Sequence, residues 1–150
     1  MWVTFSKVEF VDIEPEDGRL REVLTVVVQL RPHLDESLFR SIYQSGYPQG
    51  LRFTALYDNG QCVAVAGWRI IDSTNAVRKL YIDDLVTDSE VQSNGYGHAL
   101  LNELEKRAIT AGCRVLDLDS GVQRFDAHRF YLRERMYISS HHFVKQLDSP

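Results

Sequence analysis

Apolar positions along the chain change their spacing several times, and each change marks an expected element. Val3 to Val11 alternates loosely and predicts a first strand. Glu14-Pro15-Glu16-Asp17 puts acidic residues where a helix dipole favours them, so a helix is expected from Gly18 to Leu30, ending before Pro32. A second helix should begin at Asp35, a good N-cap, carry Leu38, Phe39, Ile42 and Tyr43 on one stripe, and end by Gly46 and Pro48. Leu51, Phe53, Ala55 and Tyr57 then alternate, Asp58-Asn59-Gly60 forms a tight turn, and Cys62 to Ile71 is again strand-like. Asn-Gly between two such runs is a strong hairpin signal, because a type I′ turn needs positive φ at both central residues.

A further strand is expected over Lys79 to Val86. The helix after it should bury Leu100, Leu101, Leu104, Ala108 and Ile109, pair Glu103 with Arg107 across one turn, and stop at Gly112. Arg114 to Val122 reads as a strand with Leu116 and Leu118 on one face and Asp117 and Asp119 on the other. Asp126 to Met136 predicts a last helix and Ile138 to Leu147 a last strand. No repeat or linker interrupts this order, and 150 residues suit one α/β domain, 1–150, whose first two helices form one wall of a cleft.

Composition narrows the classes. A net charge of −4 without a Lys or Arg stripe argues against nucleic acid and is compatible with a cationic or amine substrate. No apolar run reaches membrane-spanning length, Met1 to Lys7 lacks a signal pattern, and Cys62 and Cys113 show no metal or disulfide spacing, so a cytoplasmic protein with reduced thiols is expected. His128, His141 and His142 form no metal-ligand pattern.

The chemistry concentrates in Gln92-Ser93-Asn94-Gly95-Tyr96-Gly97, between the Lys79 to Val86 strand and the helix opening at His98. The first N–H groups of a helix point outward without partners, and glycine lets a phosphate approach the main chain. The same turn can also serve as a helix cap with no ligand. A dinucleotide fingerprint would need a small residue where Leu100 stands and would lie early in the chain.

The spacing resembles motif A of the GCN5-related N-acetyltransferases, in which Arg or Gln, two residues, Gly, one residue and Gly or Ala cradle the pyrophosphate of acetyl-coenzyme A. Ala127-His128-Arg129-Phe130-Tyr131 is similar to the family's Ala-x-x-Phe-Tyr block. The resemblance implies the acyl-CoA N-acyltransferase fold, a mixed, largely antiparallel sheet with helices on both faces. It also implies transfer of the acetyl group of acetyl-CoA to a primary amine of a small molecule or protein, without a metal.

On the same grounds Leu85, Val86 and Thr87 would bond the pantetheine through their backbone, and Gln92, Ser93, Asn94, Gly95, Tyr96, Gly97 and His98 would cradle the phosphates. Tyr131 would protonate the leaving thiolate, since a phenol of ordinary pKa about 10 stays neutral at working pH; a core aromatic is the other reading. Asp83 matches the family's general-base Glu and, being one methylene shorter, would act directly or through water, a merely structural Asp being the other reading; strand alternation would turn Asp84 away. Asp117 and Asp119 read as a solvated face that could line the acceptor cleft. Where relatives carry an Asn before the Ala block and a Gly-Phe pair after its Tyr, this chain has Arg124, Arg135 and Met136. A non-catalytic acyl-CoA sensor and a non-enzymatic interaction module remain as alternatives, and a homodimer through the terminal strands is compatible with the pattern.

Overall fold

The computed structural model describes residues 7–92 and 94–148. Part of the expected first strand, Val3 to Ser6, lies outside them, as does Ser93 of the glycine turn.

Asn59 and Gly60 have φ of 50° and 81°, the type I′ geometry expected of the pair. They join β2 (Arg52–Asp58) to β3 (Gln61–Ser73). β1 (Val8–Ile13) pairs antiparallel with β2, β4 (Val77–Thr87) antiparallel with β3, and β5 (Val115–Leu118) parallel with β4. The sheet therefore runs β1-β2-β3-β4-β5.

Helices α1 (Leu20–Val27) and α2 (Glu36–Gly46) cover one face. α1 is shorter than its pattern suggests, because the chain tightens at its end: Gln29 and Leu30 donate to the carbonyls of Val26 and Val27, three residues back. Asp35 caps α2, its Oδ1 accepting from the Leu38 N–H at 2.8 Å. Phe39 and Tyr43 are buried, whereas Leu38 and Ile42 at the margin of the same stripe are exposed. Tyr43 pins α2 to two strands, donating to the Ile13 carbonyl and accepting from the Phe53 N–H. The Phe53 ring sits edge-on to Phe39 and Tyr43, with centroids 5.2 and 4.9 Å away. Each such buried ring contributes roughly 1.5–3 kcal/mol of hydrophobic stabilisation.

α3 (Tyr96–Thr110) packs on the opposite face through Leu100, Leu101, Leu104 and Ala108. Ile109, expected on that stripe, is 69% exposed because one further step of 100° carries it past the contact. Arg107 pairs with Glu103 at 2.8 Å and reaches Asp12 and the fully buried Thr54, to which Trp68 also donates. Gly112, at φ +77°, ends the helix.

The chain forms two compact units, one through Leu118 and one from Asp119. The second holds α4 (Phe125–Arg133), whose C-terminal turn places Arg135 at φ +66°. The expected strand over Ile138 to Leu147 is absent. A strand needs a hydrogen-bonded neighbour, none among the described residues pairs with this segment, and Ile138, Phe143 and Leu147 are 77%, 92% and 82% exposed. β5 likewise stops at Leu118, short of Val122.

Candidate active site

Trp68 pairs with Ile82 and Gly67 with Asp84, so Asp83 is the extra residue of a β-bulge in β4. The bulge overrides simple alternation. Asp83 and Asp84, expected to face opposite ways, line the same cavity of about 290 Å³. Val27, Leu34, Phe39 and Ile42, from α1, α2 and their connection, supply apolar wall.

Both carboxylates are held by arginines. Arg69 on β3 donates Nε to Asp83 Oδ2 at 2.9 Å and Nη2 to Oδ1 at 3.0 Å, a two-pronged pairing. Arg31, beyond the end of α1, donates Nε to Asp84 Oδ1 at 2.7 Å and Nη2 to the Asp83 carbonyl at 3.1 Å. Burial pushes the Asp84 carboxyl above its ordinary value, opposed by the lowering pull of Arg31. Gly67 makes the arrangement sterically possible: a Cβ there would lie 2.8 Å from Phe53 Cε1 and 2.9 Å from Asp84 Oδ2.

β5 pairs only with Lys79 to Ile82, so among the described residues no strand covers the stretch Asp83 to Thr87 on that side. The main chain of Leu85, Val86 and Thr87 borders this open edge. Beyond it, Asp88 donates its N–H to the Val63 carbonyl, and the Gln29 side chain brackets the loop, accepting from the Ser89 N–H at 2.9 Å and donating to Asp88 at 3.3 Å. Gln92 and Asn94 are exposed. Gly95 takes φ +80°, offers no side chain to cap α3, and has nothing within 4 Å of where a Cβ would be. Tyr96 ties the helix start to the β2–β3 hairpin by donating to Asp58, which also raises the phenol's pKa. Gly97 and His98 complete the first turn of α3. An anchored turn with open space at its glycine, ahead of outward helix N–H groups, fits an anionic phosphate, and the exposed strand edge fits the amide arm of coenzyme A.

In the second unit, Tyr131 lies on α4, half-buried, its ring centroid 5.4 Å from that of Phe130. Burial pushes its phenol above the ordinary value, with Arg124 as a smaller lowering influence. His128 Nε2 lies 2.7 Å from the Gly121 carbonyl, and His142 Nδ1 lies 3.4 Å from Asp119. In the first unit, Asp117 accepts from Lys79 at 3.0 Å. Among the described residues no group of three or more His, Cys, Asp or Glu side chains could hold a metal ion.

Arg31, Arg69 and Gly67 were not singled out from sequence. Two adjacent carboxylates in an apolar strand are themselves a signal that counter-charges must stand nearby. Which arginines supply them depends on register and on the end of α1, which local patterns do not encode.

Residues 18–136 match the model of the acetyltransferase (GNAT) family. The uncharacterized N-acetyltransferase YhdJ of Bacillus subtilis is 35% identical over 111 residues, 73% of this chain and 78% of its own length. Aminoalkylphosphonate N-acetyltransferase of Salmonella typhimurium is 38% identical over 66 residues, 44% of this chain and 43% of its own. Among solved structures, the aminoglycoside N-acetyltransferase AAC(6')-Iy in complex with CoA superposes with a TM-score of 0.85 at 10% identity, covering 99% of this chain and 100% of that one. A Trypanosoma brucei acetyltransferase gives 0.75 at 21% identity, covering 94% and 100%. At such identities the structural likeness speaks for the fold, and the sequence matches carry the family. The chain belongs to the GNAT acetyltransferase family, acyltransferases that draw on acetyl-coenzyme A.

Proposed function

We propose that the chain, acting as a single domain over 1–150 in the cytoplasm, transfers the acetyl group of acetyl-coenzyme A to the primary amine of a small molecule by direct attack in a ternary complex. The observation that carries this reading is the Asp83 bulge, which gives a cavity with two carboxylates and, on the same strand, an open main-chain edge.

Bound acetyl-coenzyme A supplies a thioester acyl donor. Leu85, Val86 and Thr87 hold its arm through their backbone, and Gln92 to His98 hold its phosphates. The acceptor ammonium first loses a proton to a carboxylate, directly or through water. Its freed lone pair then bonds to the thioester carbon as the carbon–sulfur bond breaks, and the departing sulfur gains a proton from Tyr131. The nitrogen's second proton leaves to solvent, from which Tyr131 is reprotonated. A phenol of ordinary pKa about 10 already keeps that proton at neutral pH, and burial pushes that of Tyr131 further up. Asp83 is the proposed base. Arg69 takes one lone pair on each of its oxygens and leaves another on each to accept the proton, directly or through water. Asp84, whose carboxyl burial makes more basic, is the competitor that the bulge admits. Acceptors of the size of an aminoalkylphosphonate, the substrate class named by one relative, suit the cavity volume.

The two-pronged engagement of Asp83 also favours a second reading, an acyl-CoA sensor without turnover. Calorimetry and thiol release decide between them. The wild type should bind acetyl-CoA and release thiol in the presence of an amine, and Gly97→Asp should fold yet lose the coenzyme, because its carboxylate occupies and repels the pyrophosphate position. Binding without amine-dependent release selects the sensor; unchanged coenzyme affinity in folded Gly97→Asp overturns the glycine-turn assignment. On a confirmed amine, Asp83→Asn should lose kcat/KM most at low pH and recover as the free amine accumulates; that recovering deficit in Asp84→Asn instead would move the base one residue along.

A further inference from the structure

The titratable groups lining the cavity are Arg31, His33, Arg69, Asp83 and Asp84. Each aspartate already has its guanidinium at 2.7–2.9 Å, so the cavity carries no net negative charge to attract a polycation. The overall charge of −4 is therefore not focused here. Each guanidinium also has donors to spare: Arg31 uses Nε and Nη2 and Arg69 uses Nε and Nη2, leaving Nη1 of both without a partner among the described residues. An arginine whose far edge is fixed by a carboxylate presents its remaining N–H groups in a set direction and loses little freedom when they bind.

Resting on the acetyltransferase reading above, we propose that the acceptor is a small zwitterion, an amine that also carries a carboxylate or phosphonate, and that the spare N–H groups of Arg31 and Arg69 hold this acidic group. A diamine or aminoglycoside would meet two guanidiniums for every two carboxylates and gain little. An acid-bearing amine adds charge-assisted hydrogen bonds to the arginines without displacing either aspartate. The cavity volume of about 290 Å³ accommodates a small acceptor of this kind.

The test is thiol release from acetyl-CoA by the wild-type protein with amines of two to four carbons in matched sets: the ω-amino acid, the ω-aminoalkylphosphonate, the ω-amino amide and the α,ω-diamine. The proposal expects kcat/KM for an acid-bearing member to exceed that of its amide and diamine by about tenfold or more, the usual effect of a charge-assisted hydrogen bond. Equal or better use of the diamine or amide overturns it while leaving acetyl transfer intact. If no amine in the sets or among larger aminoglycosides is acetylated although calorimetry shows acetyl-CoA bound, the acetyltransferase reading falls and this proposal with it. Arg31→Lys keeps the charge and loses the planar fork, so KM for the acid-bearing amine should rise about tenfold and that for its amide should not. An equal change for both would make Arg31 a structural partner of Asp84 alone.

Discussion

Gly67→Ala tests how the two aspartates come to share one cavity. Gly67 sits opposite Asp84 in the β3–β4 ladder, and an added Cβ would lie 2.8 Å from Phe53 Cε1, 2.9 Å from Asp84 Oδ2 and 3.2 Å from Phe53 Cζ. Ordinary contact begins near 3.4 Å, so each neighbour must recede by roughly half an ångström. Phe53 cannot easily do so, being 4% exposed and fixed between Phe39 and Tyr43. Asp84 yields more readily, at the expense of its 2.7 Å contact with Arg31, while the clash with Phe53 remains as overpacking. Overpacking of this kind costs about 1–3 kcal/mol, and at this chain length each 1 kcal/mol lowers the melting temperature by about 2–4 °C. Thermal denaturation should show that loss, calorimetry should show acetyl-CoA binding retained, and kcat/KM on a confirmed amine should fall because the cavity wall has moved. In Gly67→Ala/Asp84→Ala one of the two clashes is gone, so the double variant should be more stable than the sum of the singles by about 0.5 kcal/mol or more. A single variant that melts with the wild type and turns over normally, or a strictly additive cycle, would refute the steric account.

Three further outcomes follow from individual side chains. Tyr131→Phe keeps the ring and removes the hydroxyl, so coenzyme affinity should hold while kcat falls about 10²- to 10⁴-fold, and unchanged turnover would make the residue a packing aromatic. Arg135→Gly relieves a left-handed residue at the end of α4, where the family often has glycine, and should stabilise the fold by about 0.5–1 kcal/mol, read as a higher denaturation midpoint. Because burial holds the Asp84 carboxyl above its ordinary 3.8, the native state binds that proton more tightly than the unfolded chain, and this contribution to stability is present at low pH and lost as pH rises through the raised value. The melting temperature of Asp84→Asn relative to wild type should therefore climb from pH 4 to 7; a decline would mean that the Arg31 pair outweighs burial.

Features set by a few neighbouring residues were legible in the chain: the Asn59-Gly60 hairpin, the Asp35 cap, the Glu103 to Arg107 pair and the stop at Gly112. Each depends on backbone chemistry within one turn. The expected strand over Ile138 to Leu147 shows the limit of that logic, because alternation makes a segment competent to pair but does not provide a partner. The site depended on something equally non-local, the register of β4 against β3. From Ser73↔Val77 to Trp68↔Ile82 the two strands keep step, and at Gly67↔Asp84 they are one residue apart. A period-two reading would put Leu80, Ile82, Asp84 and Val86 on one face. Instead Val86 packs against the cluster of α1 and α2, and Asp84 lines the cavity on that side. The doublets Asp83-Asp84 and Leu85-Val86 break the alternation and mark where such a slip is tolerated. Had β4 continued in step, Asp84 would face α3 and only one carboxylate would remain in the cavity. The extra residue thus gives this strand both its pair of acidic side chains and the bend at which its open edge begins.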